Sequence, residues 1–386
     1  MLNRALVEQE YGYLHPEVYL NIASEARPPM RVRKAITEFV DICYPVSGKR
    51  GLKPIVAETA PLKQAFSQLI HAEGADQIAL VKNTTEGMGI ISQGYPFAPE
   101  DNIVICQMEH PACIFPWVNL AEKYGVKIRA VHKDIRQVTP DDIFARVDGN
   151  TKAVVISAVQ YSTGYFADLQ QIGRRCRERG IIFAVDAIQA LGRMKLDVQQ
   201  CCIDFLTAGG QKGLLGIPGM GFVYCAPWLV NKIKPPYAGI QGTTMRGNPD
   251  ILEDLTRVPW RDTAERFESG ITDYIALHAL SESVPLLLEL GIENIQEHIL
   301  TLEKQLRGLL VPYGDAVVTF ADEKRCSGIV SVALPAGKEE FAGRILKERM
   351  VTATIRNGNI RFGIGLHNTP EDMVCVAEAV AQIFAE

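Results

Sequence analysis

Several things are missing from these 386 residues, and each absence narrows the reading. The nine cysteines are scattered with no C-x-x-C pair, and Cys201 and Cys202 are adjacent. That pattern is neither a disulfide framework nor a metal-ligand spacing, and it points to a reducing, cytoplasmic setting. No apolar run approaches the roughly 20 residues that span a bilayer. The stretch Val284–Leu288 is short and flanked by Glu282 and Glu289, as expected of a helix packed on a core. The first ten residues are polar and charged, without the apolar segment of a signal peptide. There is no long Lys/Arg run, and 40 basic residues against 45 acidic leave a net charge of -5, which argues against nucleic-acid partners. Internal repeats and low-complexity segments are also lacking.

What is present is ordinary globular composition, with 47% hydrophobic and 22% charged residues, enough for a large core. Short apolar runs alternate with helical patterns in the middle of the chain. Ile78–Val81, Ile103–Cys106, Ile128–Val131, Val154–Ser157, Ile181–Val185, Asp204–Thr207 and Gly221–Cys225 read as strands. Their continuous apolar character predicts burial on both faces of a mostly parallel sheet. Ala112–Tyr124 and Leu169–Arg179 read as intervening helices, the second with Ile172 and Cys176 on one face and Gly180 as its stop. The implied fold class is α/β, a central sheet sandwiched by helices. After about Pro259 the pattern shifts to helices at Tyr274–Glu289, Ile292–Leu310, Lys338–Glu348 and Thr369–Ala385, with strands at Gly328–Leu334 and Ile360–Gly363. This predicts a large domain over residues 15–258 and a smaller α+β domain from 1–14 with 259–386. Residues 235–259 read as irregular connection.

In an open α/β sheet, ligands sit beyond the carboxyl ends of the strands. Asp186 ends one predicted strand, with Gln189 three residues on. The next strand runs into Ala208-Gly209-Gly210-Gln211-Lys212-Gly213, whose glycines allow close backbone approach to a ligand. A lysine amine condenses with an aldehyde to a Schiff base, and a carboxylate keeps a pyridine nitrogen protonated so that the ring draws electrons. The alternatives are a solvated lysine and an Asp that caps a turn. The strand Ile78–Val81 opens into Lys82-Asn83-Thr84-Thr85-Glu86-Gly87, where hydroxyls and amides at a helix start form an anion site. A plain capping box, with Thr at the cap, reads equally well. His110 lies between a strand and Pro111, placed either to stack on a planar ligand or simply to hold the turn.

These pieces, in this order, resemble the class V aminotransferase and cysteine desulfurase family of fold-type I pyridoxal-phosphate enzymes. The likeness runs from Val18-Tyr19-Leu20-Asn21 to Asn368-Thr369-Pro370-Glu371-Asp372. The resemblance implies pyridoxal 5'-phosphate as cofactor, carried by Lys212, with Lys212 then moving the substrate's α-proton. It implies Asp186 at the pyridinium nitrogen, Gln189 at the phenolic oxygen, His110 on the ring face, and Thr84, Thr85 and Gln211 at the phosphate. Arg361 matches the family's arginine for the substrate carboxylate, with Arg356 as a helper. Gln160 and Tyr161 fall where the family lines its substrate pocket. Arg266-Phe267-Glu268-Ser269-Gly270-Ile271-Thr272 is similar to the segment that reaches the partner subunit's phosphate, so Thr272 and a homodimer with shared active sites are implied. The partners expected are a small amino-acid substrate and a second copy of the chain, with no nucleic acid and no membrane.

Two departures shape the reaction type. The Ser-x-His that many relatives carry before the lysine is Gly209, Gly210 and Gln211 here. Desulfurases need a mobile nucleophilic cysteine, yet residues 351–360 contain none, and Cys326 is the one nearby candidate. Transamination of a small amino acid is the favoured reading. β-Elimination as a C–S lyase is the close second, with desulfurase-like activity less favoured. A nucleotide-binding α/β protein would use the Thr84–Gly89 turn, but the motif G-x-x-x-x-G-K-[ST] is absent.

Overall fold

A computed structural model describes residues 1–43, 49–131, 137–245, 256–270, 273–319 and 322–385. After a two-residue strand β1 (Val18–Tyr19), the chain builds β2 (Ile78–Val81), β3 (Asn102–Cys106), β4 (Lys127–Val131), β5 (Thr151–Ser157), β6 (Ile182–Asp186), β7 (Phe205–Gly209) and β8 (Gly221–Cys225). These seven, β2 to β8, form one sheet in the order β2-β8-β7-β6-β5-β3-β4. Every pairing is parallel except those of β8, which is antiparallel to both neighbours. Side chains alternate across a strand, so both faces must be apolar where helices cover both. On β3, Ile103 and Ile105 join the core that holds Trp117, whereas Val104 and Cys106 join the core that holds Phe66 and Ile172. That is why these strands carry unbroken apolar runs.

The helix Thr84–Gly94 can lie close to the sheet because Gly87 has no side chain. A Cβ there would stand 2.0 Å from Thr207 Oγ1. The expected helix at Leu169 runs Leu169–Arg177, with Ile172 and Cys176 buried and Gly180 at φ 64° shortly after its end.

The later half adds β9 (Ile329–Ala333), β10 (Val351–Thr352), β11 (Thr354–Arg356) and β12 (Asn359–Gly363). Three of these make an antiparallel sheet, β11-β12-β9, while β10 pairs in parallel with β1. Strands β11 and β12 are joined by Asn357 and Gly358, both at positive φ (51° and 71°). Asn-Gly is the residue pair that a two-residue hairpin turn favours. A bridge between Asn21 and Gly363, with Gly363 N donating to Leu20 O at 2.7 Å, ties this sheet to the early chain.

The helices Tyr274–Leu290 and Ile292–Leu309 appear as expected. Among the described residues no single helix is long and apolar enough to cross a membrane, and these two are bent 78° to each other. The helices Met30–Cys43 and Lys49–Leu69 were not legible beforehand. Gly51, Pro54 and Pro61 interrupt the second, and such residues punctuate the pattern that a helix is read from. Part of the irregular connection lies outside the described residues, and the rest holds a short turn of 3₁₀ helix at Ile240–Gly242 and an isolated bridge from Thr243 to Trp260.

Candidate active site

The register of the large sheet decides which residues meet. Ser157 on β5 pairs with Asp186 on β6, and Asp186 pairs with Thr207 on β7. Asp186 therefore stands in a row across the carboxyl edge, two residues from the end of β7. Beyond β7 the chain closes a tight loop. Gly210 N donates to Met220 O at 2.8 Å, Gly216 N to Gly210 O at 3.0 Å, and Leu215 N to Lys212 O at 2.8 Å. That loop delivers Lys212 to the same edge.

The result is a cavity of about 460 Å³, within the roughly 300–1,000 Å³ usual for small-molecule sites. It is lined by Thr84, Thr85, His110, Asp186, Gln189, Gln211, Lys212, Tyr161, Arg356 and Arg361, all expected from the sequence, with Ala23, Ser24, Asn83 and Ser157 added. Thr272 lies outside the described residues.

At one end is the start of the helix Thr84–Gly94. Its cap is Asn83, whose side chain accepts from Glu86 N at 2.9 Å, while Glu86 reaches back to Lys82 N at 2.5 Å. The expectation of a threonine cap is thus corrected: Asn83 takes that role, because it is the extended residue before the helix and its amide oxygen meets the third helical N–H, while Thr84 is already inside the helix. Thr84 is left free for another task. It is buried, and its Oγ1 accepts from Gly209 N at 3.2 Å, so its own proton can still be donated. The first amides of a helix have no intrahelical acceptor, so this end suits an anion.

In the middle stand Asp186 and Lys212. Asp186 is 2% exposed, and Oδ1 accepts from Ile188 N at 3.0 Å. Burial raises its carboxyl to about 6, against the lowering influence of the Ile188 amide and Lys212. Burial likewise brings the Lys212 amine down to about 8, opposed by Asp186 and reinforced by Arg361 and Arg193. His110 caps the helix Pro111–Tyr124, its Nδ1 accepting from Ala112 N at 3.1 Å. Burial, then Lys212, Arg356 and Arg361, lower its pKa, so the ring is neutral with its proton on Nε2.

At the far end, Arg361 on β12 donates from Nη1 to Tyr161 O at 2.8 Å and from Nη2 to Ser24 Oγ at 2.6 Å. Its Nε is buried without a partner. Arg356 on β11 is exposed, with its guanidinium 5.7 Å from the centre of the Tyr161 ring. Tyr161 in turn meets His110 edge-on, with ring centroids 5.2 Å apart.

Gln160 departs from its expected place. It is buried, and its amide is consumed by the local backbone: Nε2 donates to Met108 O, and Oε1 accepts from Ser162 N at 2.6 Å and Ser162 Oγ at 2.8 Å. It shapes the turn that presents Tyr161 and does not line the cavity. Sequence reasoning passed over Glu109, buried beside the site. Glu109 accepts from Ser157 N at 2.9 Å and from Ser157 Oγ. Burial raises it to about 7, with Asp186 adding to the rise and the Ser157 hydrogen bonds opposing it. Its position directly before His110 at a strand end was the available signal.

A pyridine aldehyde phosphate fits this donor set. The helix start suits its phosphate, the buried carboxylate suits a cationic ring nitrogen that would restore its charge, and the amine suits the aldehyde. Gln189 supports the fit: Nε2 donates to Ala23 O at 2.8 Å, but Oε1 is buried with no partner, as expected of a group that awaits a ligand. Fold and site thus define a fold-type I enzyme of the pyridoxal-phosphate class.

The chain belongs to the aminotransferase class-V family, whose model matches residues 18–373. It is 27% identical to a probable cysteine desulfurase of Methanothermobacter thermautotrophicus, covering 98% of this chain and 97% of the relative. An uncharacterised aminotransferase of Schizosaccharomyces pombe is 29% identical over 92% of this chain and 89% of its own. Among solved structures, the apo cysteine desulfurase of Thermococcus onnurineus superposes with a TM-score of 0.88 at 20% identity, covering 100% of this chain and 99% of that one.

Proposed function

We propose that the protein is an aminotransferase for a small amino acid, with Lys212 carrying pyridoxal phosphate and Arg361 holding the substrate carboxylate. The observation that carries this reading is one cavity with Lys212 and Asp186 at its middle and an unpaired Arg361 Nε at its end. When bound, the cofactor supplies an aldehyde that takes up amines and a ring that draws electrons from the α-carbon. The chain's own residues do the rest. Thr84 and Thr85 would hold the phosphate, Asp186 would keep the ring nitrogen protonated, and Gln189, whose Nε2 keeps a second proton beside the one given to Ala23 O, would donate to the phenolic oxygen. Neutral His110 covers the ring face. Lys212, with its depressed pKa, is neutral in an appreciable fraction near pH 7 and can take and return the α-proton.

The relatives named as desulfurases favour a second reading, reaction at sulfur. Sulfur transfer through a protein persulfide is less favoured, because it needs a thiol at the cavity. No cysteine is among the described residues that line the cavity. Cys326 is buried, receives a hydrogen bond from Arg307 Nη1 at 2.8 Å, and burial pushes its thiol up to about 12. The hairpin at Asn357-Gly358 leaves no loop to carry another. The sulfur reaction that remains compatible is C–S elimination, which needs no thiol from the protein.

A homodimer is part of the proposal. Beside the cavity, and sharing Asn83 and Thr85 with it, runs a surface groove of about 750 Å³ that includes Phe115 and Tyr237, 65% and 62% exposed. Exposed aromatics of this kind mark interaction surfaces. The division into residues 15–258 and 1–14 with 259–386 is proposed with it, since the seven-stranded sheet and the three-stranded sheet fall on opposite sides of that boundary.

The test is a visible spectrum of the purified protein before and after borohydride, followed by peptide mapping. A yellow chromophore is expected, which borohydride bleaches while leaving the cofactor permanently attached to Lys212, and a protein that stays colourless with added cofactor defeats the reading. Formation of keto acid only with an added 2-oxo acid acceptor supports transamination. Release of ammonia or sulfide without one selects the lyase. Cys326→Ala is expected to leave turnover within about twofold, because Cys326 is not among the residues that line the cavity and touches none of the site's chemistry, and loss of sulfide release in that variant would reinstate a desulfurase.

A further inference from the structure

Arg356 and Arg361 stand on one hairpin. Thr354 pairs with Arg361 and Arg356 with Asn359, so the two arginines point from the same face as diagonal neighbours, a spacing of roughly 7–8 Å between backbones. Both touch Tyr161, Arg361 at its carbonyl and Arg356 at its ring. Both line the cavity. Neither pairs with a carboxylate among the described residues. Asp186 is the sole carboxylate among the described lining residues, and it belongs to the cofactor end, beside Lys212. The wall around Tyr161 is therefore a pair of positive charges without counter-ions.

Two like charges so close repel: burial first, and then the Arg356 charge, depress the Arg361 pKa. A single carboxylate on Arg361 would satisfy its buried Nε and leave Arg356 without a partner. An ordinary surface arginine would turn to water, yet this one lies over an aromatic face that also lines the cavity, which pre-positions its planar fork.

We propose that the substrate carries two carboxylates: Arg361 takes the one beside the reacting carbon, and Arg356 takes the one at the far end of a short side chain. The substrate class is then a short dicarboxylic amino acid and its 2-oxo acid. This rests on the aminotransferase reading and names the specificity of that site. Arg356 is a specificity residue; the chemistry stays with Lys212.

The experiment compares the holoenzyme with Arg356→Gln and Arg356→Lys. Arg356 is exposed, so neither change threatens folding. kcat/KM is measured for aspartate, glutamate and alanine, and binding of succinate and propionate is followed by calorimetry. Wild type is expected to favour the dicarboxylic amino acids and to bind succinate more tightly than propionate. Arg356→Gln is expected to lose roughly 30-fold on aspartate or glutamate, the scale of lost charge-assisted hydrogen bonds, with alanine changed by less than about threefold. Arg356→Lys should recover part of the loss. Equal losses on alanine and the dicarboxylates would mean that both guanidinium groups serve one carboxylate, and would overturn the proposal. So would a wild type with no preference between succinate and propionate. Arg356-dependent succinate binding without turnover of any amino acid would support this inference while defeating the aminotransferase reading. Turnover confined to monocarboxylic amino acids would do the opposite.

Discussion

The two ends of the cavity are built on different principles. The cofactor end stands on the carboxyl edge of a sheet buried on both faces. Its groups are perturbed by burial: Asp186 rises to about 6, Glu109 to about 7, and Lys212 falls to about 8. The end proposed for substrate is a short hairpin on a separate, three-stranded sheet, with one exposed arginine and one half-buried. A buried floor can tune proton affinity because water is excluded from it. An open wall of fixed cations can choose among anions without changing the chemistry below.

The sharpest way to break that contrast is at the floor. Lys212→Ala is expected to lower kcat by about 10⁴-fold, the upper end of what positioned proton transfer contributes, and to abolish the borohydride-fixed cofactor. Turnover within tenfold of wild type would remove the amine from the reaction.

At the wall, Arg361→Gln is expected to cost about 100-fold in kcat/KM, the scale of losing two charge-assisted hydrogen bonds. Most of that loss should appear in KM, because the grip on a carboxylate is the same before and during reaction. A fall in kcat at constant KM would move Arg361 into the chemistry and erase the distinction between the ends.

The smallest effect joins the two regions. Only the neutral amine of Lys212 attacks an aldehyde, so capture of pyridoxal phosphate by the cofactor-free protein should rise with pH and level off above about 8, well before the ordinary 10.5. Asp186 favours the charged amine, so Asp186→Asn should move the midpoint down. Arg361 disfavours it, so Arg361→Gln should move the midpoint up. Stopped-flow absorbance reads both shifts, and a wild-type midpoint above pH 10 would show that burial does not act on this lysine.

How much of this was legible differs between the same two regions. The strands β2, β3 and β5 to β8 announced themselves because a strand covered on both sides is apolar along most of its length, whereas the edge strand β4 keeps only Val131 buried, and Asp186 and Lys212 stood out as polar residues at or just beyond strand ends. Gln160 was misplaced for a local reason. Its side-chain amide fits the backbone of its own turn better than it fits a cavity, and no pattern in the chain distinguishes the two. Glu109 was overlooked because an acidic residue at a strand end ordinarily faces water, and only the packing shows that it is held by Ser157.

Taken alone, the chain determined its sheet, its helices after residue 274, and the amine, carboxylate and guanidinium that line the cavity, since these follow from local periodicity and from residue type at strand ends. Tertiary structure decided what those groups face. The pairing of β11 with β12 put Arg356 on the same face as Arg361, and the parallel register of β5, β6 and β7 set Asp186 beside Ser157 and Thr207. Such juxtapositions depend on contacts between residues as far as 337 positions apart, as with Arg361 and Ser24, and distance along a chain carries no direct record of distance in space.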